Sequence, residues 1–205
     1  MRRIGDTAIA AVTVVAFGSG VWLLGTAQLS APPQPAAAES RPDPAEERLT
    51  APALPPSPPT RIRIPSIRVD APMTGLGLTP SGSLDAPPTG NKNLAGWYEA
   101  GTAPGEKGTA IVAGHVDTAE GPAVFYALGA VKRGATVELD RRDGSVAVFT
   151  VDAVEVYRAS DFPDETVYGA AERPELRVIT CGGGYSKSTG YQGNVVVFAH
   201  LTGSR

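Results

Sequence analysis

The chain has 205 residues, 42% of them hydrophobic and 19% charged, with a formal net charge of −3 and an isoelectric point near 5.4. That length holds one ordinary domain plus appendages, and without a basic excess there is no electrostatic footprint for a nucleic-acid partner. A single cysteine excludes an intrachain disulfide and a multi-cysteine zinc site, so if this thiol matters it acts alone.

In chain order, Met1-Arg2-Arg3 precedes residues 7–29, which carry no charged side chain. A helix of about 20 mainly apolar residues spans a bilayer, and arginines ahead of it stay cytoplasmic, so residues 1–29 predict a transmembrane anchor with everything after it outside the cell. A cleaved signal peptide is the alternative, with Ala36, Ala37 and Ala38 as the small residues for processing. Both readings export the domain. Residues 30–60 are dominated by proline, alanine and charged side chains and predict a disordered, semi-rigid linker with polyproline II character.

The folded domain is expected over residues 61–205. RIRIPSIRV (61–69) alternates charged and apolar residues as a strand with one wet face does, and Pro65 marks an edge or a bend. Further strands are expected at 109–113, 136–139, 146–156, 176–180 and 195–199, mostly β-branched and separated by turns rich in Gly, Asp or Pro. Residues 142–145 (RDGS) suit a hairpin turn. Only 123–128 (AVFYAL) reads as helical. The pattern predicts a mainly antiparallel β-barrel or sandwich.

Two strand ends carry reactive groups. In TAIVAGHVD (109–117) an apolar strand runs through a glycine and delivers His115; in LRVITCGGG (176–184) another delivers Cys181 and then three glycines. Those glycines suit backbone N–H groups aimed at an oxyanion, which marks Gly182 and Gly183 for substrate contact; a flexible hairpin loop is the plainer account. His200, late in the final strand, is the only other histidine and lacks a glycine beside it. Neither histidine has metal-ligand spacing around it, and there is no nucleotide or flavin fingerprint, so no metal and no cofactor is expected.

AGHVD and ITCGG, in an all-β domain behind an apolar N-terminus and a proline-rich spacer, resemble the sortases of Gram-positive bacteria, most closely the actinobacterial class F branch. The opening RIRIPSIRVDAP, Gly96-Trp97-Tyr98, Phe162-Pro163, Val167-Tyr168-Gly169 and the closing NVVVFA follow in the same order. The resemblance implies an eight-stranded β-barrel on the extracellular side of the membrane. In it Cys181 is the nucleophile and His115 the general acid/base. The implied substrates are secreted proteins bearing an LPXTG-type signal, cleaved between Thr and Gly and joined to a peptidoglycan-precursor amine. One departure stands out: the family arginine expected about a dozen residues after the cysteine is absent, with Gln192 and Asn194 in that region. Asn194 is taken as the third catalytic group and Gln192 as a substrate contact, while Arg158, Arg177 and Lys187 are other sources of charge. An L,D-transpeptidase is disfavoured because Gly-Gly-Gly-Tyr follows Cys181. A cysteine hydrolase shares the chemistry up to water attack, and an inactive wall-associated scaffold or binding module is the non-enzymatic alternative.

Overall fold

The alternation of RIRI directs Ile62 and Ile64 to one face, and in the computed structural model, which describes residues 31–40 and 50–205, both are fully buried. They lie on β1 (Pro59–Ile64), followed by β2 (Val69–Leu76). Pro65 does not bend a single strand, as its position in RIRIPSIRV suggests; it opens a 3-10 turn (Pro65–Ile67), and the chain reverses so that Ile64 faces Val69 in an antiparallel pair. Proline has no N–H for the ladder, and Arg68, at φ 57°, completes the reversal in the left-handed region.

The remaining strands are β3 (Ala95–Tyr98), β4 (Gly108–Gly114), the two-residue pair β5 (Asp117–Thr118) and β6 (Gly121–Pro122), β7 (Thr136–Arg141), β8 (Val146–Arg158), β9 (Pro174–Ser186) and β10 (Gly190–Ser204). Eight of them close a barrel in the order β1-β2-β3-β4-β9-β10-β8-β7, as expected for the fold class. Two neighbour pairs, β2 with β3 and β4 with β9, are parallel; the others are antiparallel. The 142–145 turn forms as anticipated, with Gly144 at φ 86° and the Asp143 carboxylate accepting from the Ser145 N–H at 3.0 Å.

The expected helix at 123–128 is replaced by a turn leading into a 3-10 segment (Leu128–Ala130), because Phe125, Leu128 and Val131, spaced by three, all plug the barrel interior. The α-helix of the described residues, α1 (Asp164–Tyr168), sits instead in the β8–β9 connection. Inside the barrel Leu139, Phe149, Leu176, Val178, Val195 and Val197 form the main core. A second cluster lies on the outer face, where Ile111, Val167, Ile179 and Val196 pack with Tyr157, Phe162 and Phe198.

Much of the stretch expected as a free spacer makes specific contacts. The Ala51 N–H donates to the Leu201 carbonyl at 2.9 Å and the Leu54 N–H to Gly105 at 2.8 Å. Ser57 is buried and accepts from the Asp143 N–H at 3.1 Å, and the Pro55 carbonyl accepts from the buried Arg141 guanidinium. Further upstream, the Glu39 carboxylate accepts from the Arg133 N–H at 2.8 Å and pairs with Lys132 at 3.3 Å. Proline loses a donor but keeps its carbonyl, so an extended proline-rich segment can still serve as a row of acceptors. The expected membrane span at residues 7–29 lies outside the described residues; among these, no helix is long and apolar enough to cross a membrane.

Residues 50–58 therefore act as a strap. A chain starting at Arg61 should melt about 4–8 °C below one starting at Thr50, the expected loss being roughly 2 kcal/mol from exposed apolar contacts and orphaned polar groups. Equal melting temperatures by calorimetry would show that the strap contributes nothing.

Candidate active site

β4 and β9 run parallel, with Ala113 opposite Ile179 as their last paired residues. Two residues further along each chain stand His115 and Cys181. Strand alternation puts Ile111 and Ala113 on the outer face with Ile179, so Cys181 leaves β9 above the outer apolar cluster. The two strand ends are tied directly, the Thr180 hydroxyl donating to the Gly114 carbonyl at 2.8 Å. Gly114 is needed because a Cβ there would lie 2.6 Å from a Phe125 ring carbon and 2.7 Å from Val124.

His115 is held on both sides. Its carbonyl accepts from the Phe125 N–H at 3.0 Å, and its Nε2 donates to the Pro87 carbonyl at 2.6 Å. Since a carbonyl only accepts, Nε2 carries the proton in the neutral ring and Nδ1 is the nitrogen left to exchange one.

β9 does not stop at Cys181, and the three glycines are not a loose loop. Gly182 is buried opposite Gly193, where a Cβ would come 2.6 Å from a Val195 methyl. Gly183 and Gly184, at φ 75° and 99°, give the β9–β10 hairpin a backbone path closed to other residues. Asn194 pairs directly with Cys181 across the β9–β10 ladder, so both side chains leave the same face. Gln192 is exposed at the register shift between Tyr191 and Gly193.

Other candidates are accounted for elsewhere. His200 is buried, its Nδ1 at 2.6 Å from the Asp152 carboxylate and, at the strand rise, roughly 20 Å along β10 from Asn194. Arg177 shares the face of Cys181 but is itself buried, bonded to Glu175 at 2.6 Å and stacked 4.6 Å over the Phe198 ring. Arg158 pairs with Gly193 at the C-terminal end of β8, and Lys187 lies in the hairpin tip.

A carboxylate went unassigned in the sequence. Asp117 on β5 accepts a short hydrogen bond from the Tyr191 hydroxyl on β10, and the Tyr191 ring packs edge-on against Tyr185 with centroids 5.1 Å apart. Asp117 is part of the AGHVD string, but nothing in the string names a partner 74 residues away. Cys181 is open to solvent, yet the protein packed around its sulfur desolvates it enough to raise the thiol above its ordinary value, and the Asp117 charge raises it further. Burial, then the Asp117 bond, also hold the Tyr191 phenol far above its usual range, so it remains a donor.

On the same outer face, a groove of about 650 Å³ is lined by Leu78, Leu84, Tyr98, Ile111, Asp164 and Tyr168. Its floor, Ile111, belongs to the apolar cluster that runs through Ile179 toward Cys181. Among the described residues no three His, Cys, Asp or Glu side chains gather into a metal site.

A closed eight-stranded barrel with a cysteine and a histidine just past the last paired residues of two adjacent parallel strands defines a class of protein whose candidate site lies on the outside of the barrel. Residues 62–202 match the sortase domain family, and the chain belongs to that family. No curated protein matches it. Among solved structures, sortase A of Listeria monocytogenes aligns at 18% identity over 73% of this chain and 90% of its own, with a TM-score of 0.53. Sortase A from Corynebacterium diphtheriae aligns at 20% identity over 71% and 61% of the two chains (TM-score 0.52), and the sortase D5 transpeptidase of Clostridium perfringens at 19% over 70% and 78% (TM-score 0.52). At these identities the likeness is one of fold.

Because Cys181 is the only thiol, its titration can be read without ambiguity. The rate of alkylation by iodoacetamide should rise with pH with a midpoint above that of an unperturbed cysteine, followed by intact mass. A midpoint at or below the ordinary value would contradict the partial desolvation and the negative field of Asp117.

Proposed function

We propose that this sortase-family chain is a cysteine transpeptidase that cleaves an LPXTG-like signal between Thr and Gly and transfers the acyl part to a cell-wall amine. The observation that carries the reading is that His115 and Cys181 each stand two residues past the last ladder pair of β4 and β9, which the Thr180–Gly114 hydrogen bond ties together, beside an apolar groove. The Cys181 thiolate attacks the Thr carbonyl carbon, the C–N bond breaks, and the imidazolium of His115 gives its Nδ1 proton to the departing glycine amine. The thioester that remains is resolved by an incoming amine, with His115 as base. The Asn194 amide, opposite Cys181, donates to the oxyanion without adding a charge.

The groove dimension supports a peptide of this length. Ile111 pairs with Arg177, four residues before Cys181, or about 13 Å along the strand; an extended Leu-Pro-X-Thr spans about the same distance. Leu78 and Tyr168 at the far end offer apolar surface for the leading leucine. The sequence motifs in their order support a place in the actinobacterial class F branch, and the charge pattern of residues 1–29 supports a single-pass anchor with the barrel outside the cell, where secreted proteins and peptidoglycan precursors are found.

The full chain in detergent, mixed with an LPXTG peptide and triglycine, should gain the mass of the acyl fragment on Cys181 and then release peptide–triglycine product. Cys181→Ala should give neither, and His115→Ala should lower kcat/KM by about 100- to 10,000-fold. The absence of a guanidinium opposite Cys181 favours a second reading, an inactive wall-associated module, which a folded, alkylatable protein forming no adduct with any sorting peptide would support.

The two amides can be separated as well. Asn194→Ala should lower kcat by about 100-fold with little change in KM, as loss of an oxyanion donor does, whereas Gln192→Ala, at the exposed register shift, should act mainly on KM. The reverse pattern in steady-state kinetics would move the oxyanion role to Gln192.

A further inference from the structure

Resting on the transpeptidase reading, the geometry points to an acceptor subsite: we propose that the Asp117 carboxylate, oriented by Tyr191 and flanked by Tyr185, binds the ammonium group of the amine that resolves the thioester.

The starting observation is that Asp117 sits where it harms the first half of the reaction. A negative charge beside a nucleophilic thiol disfavours the thiolate, and Asp117 pushes the Cys181 thiol upward on top of what partial desolvation does. Asn194, opposite Cys181, brings no positive charge to offset it, and Arg177 on the same face is committed to Glu175 and Phe198. A carboxylate that only opposed attack would be a defect. Its effect changes once the acyl group is on sulfur, because a thioester has no charge for Asp117 to repel. The same field then favours one kind of visitor, a cation, and the second substrate of transpeptidation is a primary amine that is protonated at neutral pH.

The local construction suits that ligand. Asp117 is half-buried on β5, two residues beyond His115, and Tyr191 fixes it from the β9–β10 hairpin that also carries Cys181. The bond therefore spans the two segments that bear the catalytic pair. Tyr185, 63% exposed and edge-on to Tyr191, adds an aromatic ring at the rim, and aromatic faces attract ammonium groups.

The chemistry balances without another reactant. The bound ammonium gives one proton to Nδ1 of neutral His115, which passes it to solvent. The freed amine nitrogen bonds to the thioester carbon, and the C–S bond breaks with its electron pair going to sulfur. The second proton leaves the new amide nitrogen and ends on the Cys181 thiol. Thioester and ammonium thus become amide, thiol and one released proton.

The test measures how the acyl-enzyme of the full chain partitions among water, triglycine and hydroxylamine. Triglycine presents an ammonium at neutral pH, whereas hydroxylamine is uncharged. Asp117→Asn should raise the rate of Cys181 acylation at neutral pH, cut partition to triglycine by about tenfold or more, and leave partition to hydroxylamine at the wild-type value. Asp117→Glu should recover part of the triglycine partition, which a merely structural role would not predict. If Asp117→Asn acylates normally and partitions to both nucleophiles as wild type does, or loses both equally, the subsite is wrong while the transpeptidase reading stands. If the wild-type chain forms no thioacyl adduct at all, both fall together.

Discussion

The parallel pairing of β4 with β9 is the constraint from which the site follows. Parallel neighbours run toward the same side of a sheet, so two segments 66 residues apart in sequence continue past their last ladder pair side by side without any connecting turn. The Thr180–Gly114 hydrogen bond carries that registration past the last ladder pair, and the missing side chain at Gly114 lets Val124 and Phe125 close against the strand end. Without that approach the Phe125 N–H could not reach the His115 carbonyl, and the loop bearing the histidine would lose its anchor.

Around this junction the barrel separates two apolar layers with different tasks. The interior, filled from β1, β7, β8, β9 and β10, supplies cooperativity. The outer cluster is thinner, and the groove opens from it through Leu84, Tyr98 and Ile111. Polar groups standing over an apolar floor are partly desolvated, which strengthens hydrogen bonds made there but makes each charge costly. An amide at position 194 brings no charge, and the charge that acts on the Cys181 thiol is the Asp117 carboxylate.

Strands were legible wherever one face is buried and the other wet, as in 61–64, 136–141 and 146–156, since alternation is what half-burial demands. The histidine and the cysteine were legible as the polar residues that end two apolar runs. The β9–β10 hairpin was not, because its glycines have no side chains to record a period and both strands extend several residues beyond their β-branched cores. Nor was the strap at 50–58, whose docking uses backbone carbonyls that every residue possesses. The 3-10 plug at Leu128–Ala130 failed as a helix because a spacing of three over a single turn fits either geometry, and the barrel interior decided between them.

Closure of the barrel bears on how a peptide can be read. Every one of the eight strands has a neighbour on both sides over part of its length, so an incoming chain meets an unpaired edge only at the overhangs, such as β9 beyond Ile179, where its pairing with β4 ends. Away from those overhangs, a peptide lying in the outer groove would meet side chains and loop groups, not a main-chain ladder. Contacts of that kind do not require an N–H from every residue of a ligand, and they put selectivity into the loops that line the groove.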